Sequence, residues 1–394
     1  MKIANWSKTL KNNFLFQAVS DKLEEFKEKN PEKKVINMGI GDVSLPLADE
    51  VIKSCISAAN EMGKSSSFKG YSPNGGYDFL KQKIKDEYKN LGILVNTDEI
   101  FISDGAKSDM SNILDIFSSD NTCLIPDPVY PVYLDTSIMN GMKIEFANAV
   151  EQNNFLPEPD FNKKVDIIYV CSPNNPTGAA YTKNQMKKWI DYANLCRAVI
   201  LYDAAYESFI EDDNFCRSIF EIPESKTCAI EFKSFSKSAG FTGMRCGYSI
   251  VPKDLKRENV SLNYLWTRRH STKFNGVPYI IQRAAEASLS DAGKKECQKA
   301  IKYYKENAQI LAKTFNQLSI KFFGGLNSPY LWIKCPNNMN SWEFFDYLLQ
   351  NLNIIGTPGS GFGKNGENYF RFSCFASRED VQKACDRLIN FFQN

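Results

Sequence analysis

From residue 99 onward the chain repeats one pattern: a short apolar run, a turn, then apolar residues at helical spacing. Strand-like runs lie near 100–103, 122–126, 144–147, 166–171, 198–202, 228–232 and 246–251, with helical patterns at 106–117 and 182–195 among the connections. Strands that alternate with helices predict an α/β domain with a mainly parallel sheet and helices on both faces. Past Pro252 the texture changes. Helical stretches run to about 318, including a linking helix near 293–318. Short strands at 320–323, 330–334, 353–355 and 369–373 and helices at 341–351 and 377–391 then predict a smaller α+β domain.

The N-terminal segment reads as an arm. Phe14, Ala18, Val19, Leu23 and Phe26 keep a helical spacing that stops at Asn30-Pro31. Val35 to Met38 is a short strand closed by Gly39-Ile40-Gly41-Asp42, and helices follow at 49–62 and 76–91. A chain of 394 residues is long enough for two domains. The expected division is 1–45 as the arm and part of the small domain, 46–290 as the large domain, and 291–394 as the small C-terminal domain.

Charge and composition exclude more than they assign. Lys+Arg 48 against Asp+Glu 46 leaves a formal charge of +2, which offers no electrostatic footprint for nucleic acid or an anionic membrane. No apolar run reaches the eighteen or so residues of a membrane span, and Met1 opens no secretory segment. The eleven cysteines, an odd number with no C-x-x-C pair, read as reduced thiols of a cytoplasmic protein. The sequence holds a single histidine, His270, in the basic stretch Arg268-Arg269-His270. A histidine triad or histidine metal site would have to use it, so catalysis falls to lysine, tyrosine, aspartate and arginine, and no metal site is expected.

The strongest local candidate is Lys237 in Glu231–Tyr248, EFKSFSKSAGFTGMRCGY. Ala229, Ile230 and Phe232 end a buried strand, and Cys246 to Val251 form another. Between them Lys237 stands beside Ser234 and Ser236, on a loop that Gly240 and Gly243 make too glycine-rich for a helix. A lysine so placed can be desolvated into a nucleophilic amine. Arg245, expected to begin the next strand, adds a cation to the two hydroxyls, a cradle suited to an anion such as phosphate.

Other strand ends carry chemistry to the same rim. In an open parallel sheet, ligands bind at the carboxyl ends of the strands. Strand 166–171 runs into Ser172-Pro173-Asn174-Asn175-Pro176-Thr177-Gly178, and strand 198–202 into Asp203-Ala204-Ala205-Tyr206. Strand 100–103 opens a helix at Asp104-Gly105-Ala106-Lys107, whose free N–H groups suit a phosphate. Strand 122–126 leads to Asp127-Pro128-Val129-Tyr130-Pro131. Taken singly, Asn-Pro and Asp-Pro make turns and Tyr130 could fill a core.

Four look-alikes fail on context. Gly39-Ile40-Gly41-Asp42-Val43-Ser44 lacks the third glycine of a dinucleotide fingerprint, and a strand rather than a helix follows Gly361-Phe362-Gly363-Lys364-Asn365-Gly366. Gly363-Lys364 ends like a phosphate loop, but Pro358 and Asn365 occupy two required positions. Ser234-x-x-Lys237 with Ser119-Asp120-Asn121 suggests a serine acyl-enzyme, yet the order along the chain is reversed and no Lys-Thr-Gly follows.

With these residues assembled, the chain resembles the pyridoxal-phosphate aminotransferases of the aspartate aminotransferase fold, over essentially its whole length. The motifs are Asn175-Pro176-Thr177-Gly178, Asp203-Ala204-Ala205-Tyr206, Ser234-Phe235-Ser236-Lys237 and Phe370-Arg371-Phe372-Ser373. It resembles the LL-diaminopimelate aminotransferase subfamily more closely, in Gly41-Asp42, Gly70-Tyr71-Ser72-Pro73, Asp104 to Lys107, Asp127 to Tyr133 and Ser236 to Gly243.

The resemblance implies pyridoxal 5'-phosphate as cofactor and a homodimer as the working unit. Lys237 would bond covalently to the cofactor and carry the substrate proton. Asp203 would pair with the ring nitrogen, Asn175 and Tyr206 would reach the ring oxygen, and Tyr130 would stack on the ring. The phosphate would lie among the Ala106 and Lys107 N–H groups, Ser234, Ser236 and Arg245, with Tyr71 arriving from the partner. Arg371 would fork onto the substrate α-carboxylate, a geometry lysine cannot supply. Gly41, Lys107, Tyr130, Asn175, Tyr71 and Asn275 would contact substrate. The implied reaction exchanges an amino group between LL-2,6-diaminopimelate and 2-oxoglutarate, by way of tetrahydrodipicolinate and glutamate, in lysine or peptidoglycan-precursor synthesis.

One position departs from the subfamily. Its arm carries a tyrosine in an Asn-Tyr-Leu-Phe-type motif, where this chain has Asn13-Phe14-Leu15-Phe16. Phe14 lacks the hydroxyl for the far end of the substrate, which keeps a broader amino-acid aminotransferase as an alternative. A non-catalytic binding protein on the same fold is the other alternative; Lys237, Asp203, Arg245 and Arg371 together argue against it. The arm's match begins near residue 10, which leaves no room for a transit peptide.

Overall fold

Seven strands of one sheet carry the alternation read from the sequence: β1 (Ile100–Ser103), β2 (Thr122–Asp127), β3 (Lys143–Asn148), β4 (Ile167–Cys171), β5 (Val199–Asp203), β6 (Ala229–Ser234) and β7 (Gly247–Ile250). Their order across the sheet is β1-β7-β6-β5-β4-β2-β3. All run parallel except β7, which is antiparallel to both β1 and β6. The computed structural model describes residues 2–10, 14–39 and 41–392. Met1, Asn13 and Ile40, used above in reading the N-terminus, the arm and the Gly39 turn, lie outside them.

Every residue of β4 and β5 is buried, because helices cover both faces. Side chains alternate between the faces with the strand's period of two. Ile168, Val170, Ile200 and Tyr202 point into one apolar layer, Ile167, Tyr169, Val199 and Leu201 into the other. The helices, numbered along the chain, are α1 (Leu15–Lys29), α2 (Asp49–Met62), α3 (Asp78–Asn90), α4 (Ala106–Asn112), α5 (Val132–Met139), α6 (Lys183–Cys196), α7 (Phe235–Ser238), α8 (Leu262–Lys273), α9 (Tyr279–Ser288), α10 (Asp291–Gln317), α11 (Ser341–Leu352) and α12 (Arg378–Phe392). The first layer takes apolar faces from α2, α3, α6 and α9. The second takes them from α4, α5 and α8. Local chemistry sets the boundaries: Thr182 starts α6 through a reciprocal cap with Gln185, and Asn340 starts α11 in the same way with Glu343.

The smaller sheet is antiparallel, in the order β8-β9-β11-β10, from β8 (Phe322–Gly324), β9 (Tyr330–Lys334), β10 (Thr357–Pro358) and β11 (Tyr369–Ser373). Its core holds α10, α11 and α12 residues such as Leu311, Phe345 and Leu388, with Val19, Leu23 and Phe26 of α1 packed against them. The short strand Ile36–Asn37 pairs in parallel with Ile354–Ile355. Both ends of the chain therefore build the small domain.

Candidate active site

The carboxyl ends of β4, β5 and β6 form one wall of a cleft, and β11, β10 and α1 form the other. The cleft encloses about 480 Å³. Twelve of the fifteen residues singled out in the sequence line it: Gly41, Ala106, Lys107, Tyr130, Asn175, Asp203, Tyr206, Ser234, Ser236, Lys237, Arg245 and Arg371.

Lys237 differs in its local setting from the loop expected. Ser234 ends β6, and its hydroxyl accepts the Ser236 N–H at 3.1 Å, capping the single helical turn α7 that carries the lysine. The glycines come only after that turn. Arg245 does not begin the next strand; it stands two residues before β7 at φ 61°, and this left-handed bend aims the side chain back at the turn. Its Nη1 donates to the Thr242 carbonyl at 3.2 Å and lies 3.4 Å from Ser236 Oγ. The Lys237 ammonium donates to the Gly41 carbonyl and lies 5.0 Å from the centre of the Phe375 ring. Burial lowers its pKa to about 8; Asp42 pulls it upward, while Arg371 and Arg245 press it down.

Asp203 ends β5, buried. Tyr133 donates to its Oδ2 at 2.5 Å and the Ala205 N–H to its Oδ1 at 2.9 Å. Burial raises the carboxyl above its ordinary range, and those two hydrogen bonds oppose the rise. A cation placed beside it would favour the ionised form. Tyr206 shares a hydrogen bond of 2.6 Å with Tyr330, and Tyr130 meets the Tyr133 ring edge-on at 5.8 Å.

Arg371 is a buried charge with no carboxylate partner among the described residues. It is wholly buried on β11. Its Nη1 donates to Asn175 Oδ1 at 2.6 Å, and its Nη2 to the Gly39 carbonyl at 2.8 Å and Thr357 Oγ1 at 3.2 Å. Its Nε has no partner, and no carboxylate pairs with it among the described residues. The rings of Tyr330, Phe362 and Phe16 lie 4.3, 5.0 and 5.6 Å from its Cζ. A buried charge without a counter-ion costs several kcal/mol. A site that binds an anion is the setting in which that cost is recovered.

Three expected residues do not line the cleft. Phe14 packs on Phe16 at 5.4 Å, beneath the Lys107 ammonium at 5.1 Å. Tyr71 is 86% exposed, and Asn275 is exposed as well. The last two are neighbours: a Cβ on Gly276 would fall 2.5 Å from Ser72.

Several lining residues carried no role in the sequence reading: Phe16, Asp42, Tyr133, Tyr330 and Thr357. Tyr133 follows Tyr130 by three residues across the turn that leads into α5, where its N–H donates to the Tyr130 carbonyl at 3.3 Å. His270 stays outside the cleft, buried among Phe101, Trp266 and Phe274, with burial lowering its pKa to about 4. Ser119, Asp120 and Asn121 are likewise absent from the cleft. The Gly359–Phe362 and Lys364–Gly366 segments are short helical turns, with no phosphate-loop geometry.

A lysine softened by burial and a buried carboxylate at strand ends of the large sheet face a buried guanidinium on the small sheet, an arrangement suited to amino-group transfer. Residues 33–388 match the family model for class I and II aminotransferases, and the chain belongs to that family. It is 49% identical, over 97% of each chain, to a protein from Prochlorococcus marinus named LL-diaminopimelate aminotransferase. The solved L,L-diaminopimelate aminotransferase from Chlamydomonas reinhardtii superposes with a TM-score of 0.94 at 38% identity, over 100% of this chain and 99% of that one. A variant of Thermus thermophilus aspartate aminotransferase, 18% identical, gives 0.87 over 99% of each chain and establishes the shared fold.

Class I and II aminotransferases use pyridoxal 5'-phosphate, and the residues present fit that group. Gly105, at φ 137°, leaves a cradle: a Cβ there would meet Arg245 Nη2 at 2.7 Å. The α4 N–H groups, two serine hydroxyls and Arg245 surround it, a donor set for a phosphate. Asp203 would supply the acceptor for a protonated ring nitrogen, and Lys237 the amine.

Proposed function

We propose that this chain transfers an amino group between LL-2,6-diaminopimelate and 2-oxoglutarate, interconverting them with tetrahydrodipicolinate and glutamate, in lysine or peptidoglycan-precursor synthesis. The observation that carries the reading is Arg371, a buried guanidinium with three hydrogen bonds and no carboxylate. The substrate α-carboxylate would be its counter-ion, accepted in a two-pronged contact. The names of the near relatives supply the substrate.

Bound pyridoxal phosphate would supply an electron sink for the charge left at Cα. The chain does the rest. Lys237, with its pKa near 8, takes the Cα proton and returns it, as a general base and then acid matched to neutral pH. Asp203 would hold the ring nitrogen protonated. Arg371 occupies Asn175 Oδ1, so the amide Nδ2 is left to donate to the ring oxygen beside Tyr206. Tyr130 would cover one ring face, and Ala106, Lys107, Ser234, Ser236 and Arg245 would hold the phosphate.

The working unit in this reading is a homodimer. Tyr71 and Asn275 share one exposed edge, from which Tyr71 would reach across to the other subunit's phosphate site, with Asn275 contacting substrate near the dimer boundary. We place the enzyme in the cytoplasm; among the described residues no helix is long and apolar enough to cross a membrane. The division at residues 45 and 290 rests on the separation of the two apolar cores.

A spectrum and a donor panel test this reading. Protein loaded with pyridoxal phosphate should absorb in the visible, and LL-diaminopimelate should move that band to shorter wavelength. Protein that stays colourless after loading rules the reading out. Should aromatic or short aliphatic amino acids outrun diaminopimelate as donors, the broader aminotransferase is the correct assignment.

A further inference from the structure

Tyr133 has no role in the mechanism above, yet two of its groups converge on it. It sits in the first turn of α5, fully buried. Its ring lies flat on Tyr169, 4.9 Å away at 13°, and meets Tyr130 edge-on at 5.8 Å. These contacts leave the phenol little freedom to turn. Its hydroxyl reaches Asp203 Oδ2 at 2.5 Å, while the Ala205 N–H holds Oδ1. Cys171, the register partner of Asp203 on the adjacent strand, walls the same corner.

We propose that Tyr133 is a positioning residue, which aims the Asp203 carboxylate at the cofactor's ring nitrogen and keeps it ionised. The inference rests on the placement of pyridoxal phosphate proposed above. Burial by itself drives Asp203 toward the neutral acid, which cannot hold a proton on the ring. A phenol donor stabilises the anion without surrendering its own proton, because burial and the neighbouring carboxylate push the Tyr133 hydroxyl far above its ordinary range. The stacked rings fix the direction of that donor, and with it the orientation of the carboxylate.

A plain core tyrosine would give the same packing, so the test must separate the two roles. The affinity of the apoprotein for pyridoxal phosphate is measured by calorimetry in wild type, Tyr133→Phe, Asp203→Ala and the double variant. A hydrogen bond to a charged group predicts a loss of about ten- to a hundredfold for Tyr133→Phe alone. In the Asp203→Ala background the same change should cost less than about twofold, since its only route of action is gone. In the loaded enzyme Tyr133→Phe should lower kcat roughly tenfold with KM for the amino donor nearly unchanged, because Tyr133 makes no contact with Arg371. Tyr133→His, which keeps a ring N–H donor, is the second variant and should bind the cofactor more tightly than Tyr133→Phe. It also keeps the test open if the phenylalanine variant does not fold.

Equal losses in both backgrounds, or no loss in either, overturn the inference and leave the proposed function standing. If Asp203→Ala itself leaves cofactor affinity unchanged, the placement of the cofactor fails, and this inference with it.

Discussion

Asp203 and Lys237 reach the cleft from β5 and β6, adjacent parallel strands whose ladder pairs Asp203 directly with Phe232. Arg371 reaches it from another sheet and is oriented by the Gly39 carbonyl, 332 residues away in the chain, and by Asn175, 196 residues away. The wall that would hold the cofactor is therefore set by a rigid hydrogen-bonded ladder. The wall that would grip substrate depends on contacts between distant segments and on the helix α1. Lesions in the first should damage chemistry, and lesions in the second should damage selection and binding.

Lys237→Ala should break the cofactor wall most severely. It removes both the covalent anchor and the proton carrier, so turnover should fall by about 10⁴ or more. Pyridoxal phosphate should still bind through its phosphate, ring and nitrogen contacts. Single-turnover kinetics and equilibrium dialysis read the two effects separately; a near-normal rate would refute the assignment.

Arg371→Ala probes the opposite wall. Loss of a buried charge partner costs about 3–5 kcal/mol, hundreds- to thousands-fold in kcat/KM. The contrast is sharpest if the visible spectrum of the loaded protein is unchanged, since in the proposed function the guanidinium serves the substrate. A parallel loss of cofactor affinity would blur the two walls into one.

Asp203→Ala should cost on the order of a hundredfold in kcat and weaken cofactor retention as well. Unchanged turnover with unchanged affinity would put the cofactor elsewhere in the cleft. The smallest effect belongs to Phe14→Tyr. One neutral hydrogen bond is about 0.5–1.5 kcal/mol, so kcat/KM for diaminopimelate should rise about three- to tenfold while glutamate barely responds. An equal gain for both donors would place Phe14 away from the far end of the substrate.

The same contrast explains what could be read from the sequence. The strand ends were legible because strands of an α/β sheet announce themselves by short apolar runs, and the residue that follows each run faces the ligand side. Asn175, Asp203 and the Ser234–Lys237 segment follow this rule. The cap that turns Phe235–Ser238 into helix was hidden by the glycines after it, and the left-handed bend at Arg245 has no sequence marker, arginine being no left-handed former. Phe16, Tyr330 and Thr357 were invisible for another reason. They come to the cleft through packing between elements far apart in the chain, and neither spacing nor composition records that.

The pairing of Ile36–Asn37 with Ile354–Ile355 has a consequence for how the molecule is made. During synthesis the N-terminal arm must wait for a partner that emerges about 300 residues later, which at ribosomal speed is tens of seconds. The large sheet needs no such delay, as its last strand, β7, ends at Ile250. A nascent chain can thus carry a finished cofactor wall while Arg371 is still untranslated and α1 has nothing to pack against. Its exposed apolar stripe, Val19, Leu23 and Phe26, is then the surface a chaperone would find, and it is covered only once the small-domain core has been made.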